Sequence, residues 1–207
     1  MENLMEDNKA YMAGRVLSGP KFNHKTYGEA FYLIVLGILR KSGYEDNIKL
    51  IISERIMGGR APVEGEFIGV RGQVRTYNRE VEGRSKLEVT VFVREMEYIK
   101  SHDFDYVNEI SIEGFICKTP VRRTSPLGRE ICDLMVAVNR MYNKSDYIPC
   151  IAWGRNAVYA DTLTVGEKIL IEGRLQSREY RKYTDGGELV TKTAYEVSVG
   201  RIEVTIE

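Results

Sequence analysis

The sequence repeats itself at an interval of about 100 residues, and this repeat limits the possible folds more than any other feature. Identical residues stand 100 positions apart in pairs that include Gly14 and Gly114, Pro20 and Pro120, Arg40 and Arg140, and Ile48 and Ile148. Later matches are offset slightly further: Gly65-Glu66 with Gly166-Glu167, Gly72 with Gly173, and Val91-Phe92-Val93 with Val197-Ser198-Val199. Because the matches are colinear and require only two small insertions, we interpret the chain as two copies of one unit.

The two units are expected to meet in the short polar stretch from Lys100 to Tyr106. This places unit one at residues 1–103 and unit two at residues 104–207, each about the size of a small domain. The stretch has no run of Pro or Gly, which favours units that pack together over units on a flexible tether.

Each unit shows the alternation typical of half-buried β-strands. Apolar residues recur at every second position near the unit ends: Leu87, Val89, Val91 and Val93, then Tyr195, Val197 and Val199, continuing into Ile202, Val204 and Ile206. Residues 31–39 and 131–138 are rich enough in β-branched residues to be long strands. Asp185-Gly186-Gly187 predicts a hairpin turn, and residues 156–163 predict a short helix. Residues 55–62, rich in Gly and Pro, are not expected to hold a helix.

Five strands with a short helix after the third, in about 100 residues, match the OB-fold, a partly open five-stranded barrel. We therefore expect an all-β protein made of two tandem OB-fold five-stranded barrels, each with at most one short helix. Other small β-barrels produce a similar pattern, and pattern alone leaves them open.

The chain offers little that suggests catalysis, a cofactor or a metal site. His24 and His102 are the only histidines and neither has metal-ligand spacing; His24 is expected in a loop as a solvated side chain. There is no phosphate-binding glycine loop and no nucleophile elbow, so we expect a protein that is not an enzyme. Cys117, Cys132 and Cys150 have no Cys-x-x-Cys spacing and are expected as core residues in a reducing compartment.

Targeting signals are equally sparse. The N-terminus is acidic, unlike a secretory signal, and the longest apolar run, residues 30–39, is too short to span a bilayer. We therefore expect a cytoplasmic location and no membrane partner. With 30 basic and 30 acidic residues the net charge is near zero, so any attraction to nucleic acid must come from local clusters.

Such clusters exist, and aromatic residues interleave with them. In unit two the cations gather in two stretches: Lys118, Arg122, Arg123 and Arg129, then Arg174, Arg178, Arg181 and Lys182. In the expected barrel these stretches are the two loops with which OB-folds grip oligonucleotides. Flat rings stack unpaired bases while Lys and Arg contact phosphates, so the mixture indicates single strands. The alternative explanation of these clusters is that exposed hairpins carry charged residues simply because they face solvent.

Unit two resembles the bacterial single-stranded DNA-binding proteins. The resemblance is carried by residues 147–157, YIPCIAWGRNA, by residues 165–178, VGEKILIEGRLQSR, and by residues 193–197, TAYEV. It implies that Tyr142, Tyr147, Trp153 and Tyr180 stack bases. It also implies an assembly of four OB-folds, which two copies of this tandem chain would supply as a homodimer. The acidic tail with which that family recruits replication or repair proteins is not seen in the last residues, which still alternate as a strand.

The residues expected to contact single-stranded DNA in unit two are Tyr142, Tyr147, Trp153, Tyr180, Tyr183, Arg122, Arg123, Arg129, Arg140, Lys144, Arg155, Arg174, Arg178, Arg181 and Lys182. Unit one is expected to contribute less, through Phe22, Lys25, Arg40, Tyr44, Arg75, Tyr77 and Arg79, because Asn47 and Ser53 stand where unit two has Tyr147 and Trp153.

The sequence thus predicts sequence-independent binding of single-stranded DNA in replication, recombination or repair. An alternative is a primosomal-restart-like OB-fold protein that acts mainly through protein–protein contacts. A fragment of an enzyme, such as an anticodon-binding module, is disfavoured because the two copies fill the chain.

Overall fold

The computed structural model describes residues 7–81, 83–125, 127–183 and 186–205. The first half holds β1 (Asn8–Thr26), β2 (Glu29–Leu39), β3 (Glu45–Ser53), helix α1 (Glu54–Met57), β4 (Phe67–Val81) and β5 (Arg84–Ile99). The second half holds β6 (Val107–Ile116), β7 (Val121–Thr124), β8 (Glu130–Arg140), β9 (Lys144–Trp153), helix α2 (Arg155–Ala160), β10 (Lys168–Tyr183) and β11 (Leu189–Val204). Short 3₁₀ turns occupy Ser101–Asp103 and Met141–Asn143.

Each half closes into a five-stranded barrel. In the first, β1 pairs with both β2 and β4, and the ring is completed by β2–β3, β4–β5 and a short parallel contact between β3 and β5. In the second, β6 pairs with β8 and β10, and β9 meets β11 in parallel. The predicted all-β class with two tandem five-stranded barrels is confirmed.

The barrels are joined through their first strands. Residues Asn8–Ala13 of β1 pair antiparallel with Val107–Ile112 of β6. The two barrels therefore belong to one continuous eleven-stranded sheet, with β1 and β6 at its middle. Alternate side chains of each strand fill the barrel interiors, as shown by fully buried residues such as Ile34, Ile48 and Ile148.

The buried cysteines behave as core residues. Cys132 and Cys150 are buried, whereas Cys117 is partly exposed. Burial raises the pKa of the Cys132 thiol to about 11 and raises the pKa of Cys150 as well. Both thiols are therefore protonated and unreactive near neutral pH.

The helices differ slightly from expectation. Residues 55–62 were not expected to contain a helix, but α1 forms one turn there because the Ser53 hydroxyl accepts a hydrogen bond from the Ile56 amide at 3.3 Å. The turn ends at Gly58, whose φ is 61°. In the second half α2 begins one residue before the predicted start and ends at Ala160, short of Leu163. Asp185 and Ile206, named above, lie outside the described residues.

The hairpin that joins β2 to β3 docks against the second half. Asp46, near the start of β3, is fully buried and accepts a hydrogen bond from the backbone amide of Ser177 in β10 at 2.8 Å. The Arg40 guanidinium also contacts Asp46, with its Nε 2.6 Å from Oδ2. The Ser177 hydroxyl in turn accepts a hydrogen bond from the Asn47 amide at 2.9 Å.

The equivalent hairpin of the second half, between β8 and β9, docks against the first half in the same way. Asp146 is fully buried and accepts a hydrogen bond from the Thr76 amide at 2.7 Å. The Thr76 hydroxyl accepts one from the Tyr147 amide at 2.9 Å. Two guanidinium groups face Asp146, that of Arg75 at 2.8 Å and that of Arg140 at 3.6 Å. Each repeat of the sequence thus contributes one hairpin that packs against the other half of the chain.

Candidate nucleic-acid interface

An open groove of about 840 Å³ runs across the second barrel, and we call it the C-terminal groove. Its wall includes four residues from the predicted DNA-binding set of unit two: Arg129, Trp153, Arg174 and Arg178. Arg40 and Tyr44 of the docked β2–β3 hairpin complete the wall. Two acidic residues, Glu130 and Glu179, also line it.

Trp153 reaches this groove because it is the last residue of β9. The next residue, Gly154, has φ 56° and ψ −124°, a conformation that glycine adopts without steric cost, and it turns the chain into α2. Trp153 is partly exposed, in contrast to its neighbours Ile151 and Ala152, which are buried in the core. The indole therefore stands at the groove wall and not in the packed interior.

Arg174 lines this groove without an acidic partner among the described residues. Burial lowers its pKa and the charge of Arg40 lowers it further, against the opposite influence of Asp46. Within the described residues its hydrogen bond goes to the neutral Gln176 side chain, at 3.4 Å. Arg178, by contrast, faces Glu196 at 3.4 Å, and its guanidinium lies 5.8 Å from the Tyr180 ring centre. An added negative charge near Arg174 would therefore be stabilised.

Other predicted residues of unit two lie outside this groove. Tyr180, Arg181, Lys182 and Tyr183 are exposed on the distal part of the β10–β11 hairpin, and Tyr147 is exposed on β9. Arg155 is exposed at the start of α2. Arg122 contacts Glu130 and Asp161, and Arg123 contacts Asp133, in surface ion pairs that sequence reasoning did not foresee. The side chain of Tyr142 lies outside what the structure describes.

A second groove of about 750 Å³ lies on the first barrel, and we call it the N-terminal groove. Arg75 and Tyr77, both predicted, line it together with Arg140, Met141 and Lys144 from the docked β8–β9 hairpin. Burial and the charge of Glu88 raise the pKa of Tyr77. Phe22 and Lys25 are exposed on the β1–β2 hairpin, and Arg79 is exposed on β4.

Each groove therefore takes residues from both halves of the chain. Arg40 and Tyr44 belong to unit one but line the C-terminal groove. Arg140 and Lys144 belong to unit two but line the N-terminal groove. The sequence could not show this crossing, because it depends on buried contacts between residues more than 70 positions apart, such as Asn47 with Ser177 and Tyr147 with Thr76.

The N-terminal groove also contains residues that sequence reasoning missed: His24, Tyr27, Phe92 and Arg94. The expectation of His24 in a loop is wrong, because it lies in β1 with its ring stacked on Phe31. The sequence contains a pattern that could have identified Phe92. This residue occupies an outward position in an alternating strand, between the buried Val91 and Val93, where a polar residue is usual.

Two further observations concern the described parts of the chain. They contain no cluster of three or more His, Cys, Asp or Glu side chains arranged to hold a metal ion. None of their helices has the length and apolar character needed to cross a membrane.

Comparison with known proteins agrees with these features. The chain is 30% identical to Single-stranded DNA-binding protein A of Bacillus subtilis (strain 168) over 97 residues, which are 44% of this chain and 56% of that protein. It is 30% identical over 93 residues to Single-stranded DNA-binding protein 1 of Staphylococcus aureus (strain COL), covering 42% of this chain and 56% of that protein. The chain thus spans about half the length of these curated relatives.

The fold has a solved counterpart over nearly its whole length. The crystal structure of the wild-type single-stranded DNA binding protein from Thermus aquaticus superposes with a TM-score of 0.76, covering 97% of this chain and 93% of that one at 21% sequence identity. The model of the Single-strand binding protein family matches residues 107–205, which comprise the second barrel. The second half of the chain is therefore similar to the single-strand binding protein family.

Proposed function

We propose that this protein binds single-stranded DNA without sequence preference, by stacking bases on aromatic rings and by contacting phosphates with cations. The observation that carries the proposal is the C-terminal groove, where Trp153 shares one open wall with Arg129, Arg174 and Arg178. A ring beside several cations suits an unpaired strand, since a duplex hides the faces of its bases. The matching relatives carry the same activity in their names.

The proposed mechanism is binding alone. Each stacked base contributes about 1–3 kcal/mol, and each neutralised phosphate releases counterions to solution. Because the chain has no net charge, this attraction is local to the grooves and fades with distance. We propose that such binding covers single strands exposed in DNA replication, recombination or repair in the cytoplasm.

We further propose that two chains associate as a homodimer and so bring four barrels to one strand. The shared sheet leaves a shallow hollow of about 510 Å³ along β1, β4, β6 and β10, where charges of both signs, among them Lys9, Arg71, Glu109 and Glu172, meet. A face with both signs is self-complementary across a two-fold axis. Light scattering on the full chain tests this, with a mass of twice 23.7 kDa expected.

The function is tested with the single Trp of the chain, which reports on the C-terminal groove alone. Oligo(dT) is titrated into the protein at two salt concentrations while Trp153 emission is followed. We expect quenching that saturates, with an affinity that falls as salt rises, at a log–log slope of about −0.7 for each phosphate neutralised.

Duplex DNA of equal length is the matched control ligand. Weaker binding of the duplex is expected, because its bases offer no exposed faces. Equal binding of both ligands would replace the proposal with general polyanion binding. Unchanged emission and no binding of oligo(dT) would overturn it and favour the alternative of a protein that acts through protein–protein contacts.

A further inference from the structure

Three aromatic rings lie against one another at the N-terminal groove. The Phe31 ring is parallel to that of His24, at an interplanar angle of 3° and a centroid distance of 4.8 Å. Phe31 also meets Phe92 at 5.6 Å and 37°. His24 and Phe92 line the groove, whereas Phe31 is not part of its wall. Phe31 therefore positions the two rings that a ligand would touch.

The barrel does not need Phe92 for its own packing. Val91 and Val93 on either side fill the interior, so Phe92 points away from the core and stays partly exposed. In the second half the corresponding position holds Ser198, and that barrel closes equally well. An outward ring that packing does not require, at the wall of an open groove, is available to a ligand.

The charge of this groove is of one sign. Its basic lining residues are Arg75, Arg94, Arg140 and Lys144, and among the described residues of the wall there is no Asp or Glu. Arg75 and Arg140 are engaged by the buried Asp146. Arg94 and Lys144 have no ion pair with any described residue and so remain for a ligand.

Arg94 stands next to the aromatic rings. Its guanidinium carbon lies 4.9 Å from the centre of the Phe92 ring. Burial lowers the pKa of Arg94, and the charges of Arg75 and Arg55 lower it further. An anionic group placed here would relieve this crowding of positive charge.

From this geometry we propose that the N-terminal groove is a second base-stacking site for single-stranded DNA, in which His24 and Phe92 hold a base and Arg94 and Lys144 hold its phosphates. The inference rests on the proposed function and extends it to the half of the chain outside the family match at residues 107–205. It gives unit one a complete site of its own, built mostly on residues different from those the sequence indicated.

Strand β9 runs from one groove to the other, and its length gives the distance that an oligonucleotide must span to reach both. Lys144 at the N-terminal groove and Trp153 at the C-terminal groove are the first and last residues of β9, which has 10 residues. At roughly 3.3 Å per residue the two sites are about 30 Å apart. An oligonucleotide of about 4 nucleotides is shorter than this separation and is expected to fill one groove at a time, whereas one of about 35 is far longer and can reach both.

The test compares Phe92→Leu and Arg94→Gln with the parent chain on oligo(dT) of these two lengths. Trp153 emission measures occupation of the C-terminal groove, and anisotropy of an end-labelled strand measures total affinity. Each variant is expected to weaken binding of the long strand about tenfold, the effect of one lost stacked base or charge contact. The Trp153 titration with the short strand is expected to stay unchanged.

Matched controls are Phe104→Leu and Arg60→Gln. Phe104 packs on Phe67 at 4.2 Å and Arg60 lies over Tyr98 at 4.1 Å, and neither residue lines a groove or the hollow along β1 and β6. Both controls are expected to bind the long strand like the parent. Arg94 has no ion pair with any described residue, so its variant is expected to fold, which thermal melting verifies.

The outcomes separate this inference from the function on which it rests. Parent-like affinity of both variants for the long strand, with normal quenching of Trp153, would overturn the second site and leave the proposed function intact. Failure of every oligonucleotide to quench Trp153 or to bind would instead overturn the proposed function, and the second site with it.

Discussion

The Asp46 carboxylate accepts a hydrogen bond from the backbone nitrogen of Ser177, a residue 131 positions later in the chain, at 2.8 Å. Asp146 makes the equivalent contact with the amide of Thr76 at 2.7 Å. Both carboxylates are fully buried, and each lies in the hairpin that forms part of the other half's groove. These two contacts therefore stabilise the fold and set the shape of both grooves.

Replacing Asp46 with Asn is expected to destabilise the protein by about 3 kcal/mol. The change leaves the Arg40 guanidinium without its buried counter-charge, and breaking one partner of such a pair is costly. Urea unfolding measures the change in the free energy of unfolding. Asp133→Asn is the control, because Asp133 meets Arg123 at the surface and should matter by less than about 1 kcal/mol. Equal effects of the two substitutions would contradict the structural role of Asp46.

Gly72→Ala and Gly173→Ala are each expected to destabilise the fold by about 1–3 kcal/mol. Both glycines lie at irregularities of strand pairing, where a Cβ would be 2.2 Å from a backbone oxygen, that of Phe92 or of Ser198. Thermal melting is the measurement. Gly19→Ala is the control, since its Cβ would meet its nearest neighbour at 3.9 Å. A melting temperature of Gly72→Ala equal to that of the control would refute the close approach.

Glu88→Gln should reduce stability at neutral pH by about 1–2 kcal/mol, and the loss should disappear in acid. Burial alone would raise the pKa of Glu88, but the hydrogen bond and charge of Lys49, 2.6 Å away, with help from Lys86, hold the pKa below its usual value of 4.5. A carboxyl with a lowered pKa stabilises the fold above pH 4.5 and loses that contribution as the pH falls through its folded pKa.

The measurement for Glu88 is chemical unfolding of the parent and the variant across pH 3 to 8. The two stability curves are expected to converge at the acidic end, where Glu88 is protonated and resembles Gln. Curves that stay parallel over the whole range would show that the ionised form of Glu88 contributes nothing.

Arg174→Gln is expected to weaken binding of oligo(dT) and to reduce the slope of its salt dependence by about 0.7, the share of one phosphate contact. The reason is that Arg174 has no acidic partner of its own in the C-terminal groove within the described residues. Arg201→Gln serves as the control, because Arg201 pairs with Glu172 and Glu203 outside both grooves. An unchanged slope for Arg174→Gln would place the strand elsewhere.

The sequence predicted the barrels well because their signals are local. The alternation of apolar and polar residues along each strand and the spacing of glycines are visible in one sequence. The repeat and the all-β class could therefore be inferred directly. Gly72 and Gly173 match in the repeat for a physical reason, since no larger residue fits at either irregularity. Trp153 could also be recognised from a local pattern, the motif of residues 147–157 that includes the end of β9.

The grooves were harder to predict because they depend on contacts between distant residues. Arg75 and Arg140 looked like cations available to DNA, yet the buried Asp146 engages both of them. Nothing near Asp146 in the sequence distinguishes a buried carboxylate from a solvated one. Phe92 was missed because the alternating pattern was used to identify the inward, buried residues of the strand. Phe92 is an outward residue of that strand and lines the N-terminal groove.

The pairing of β1 with β6 places the two barrels as a pair of identical subunits would be placed, but within one polypeptide. Two identical subunits must present the same surface twice, so a bound strand meets equivalent sites whichever end enters first. Covalent fusion removes that constraint, and the two grooves have diverged: one offers an indole, the other a phenylalanine with a histidine. A strand that crosses both grooves of one chain would therefore meet two different sites in a fixed order.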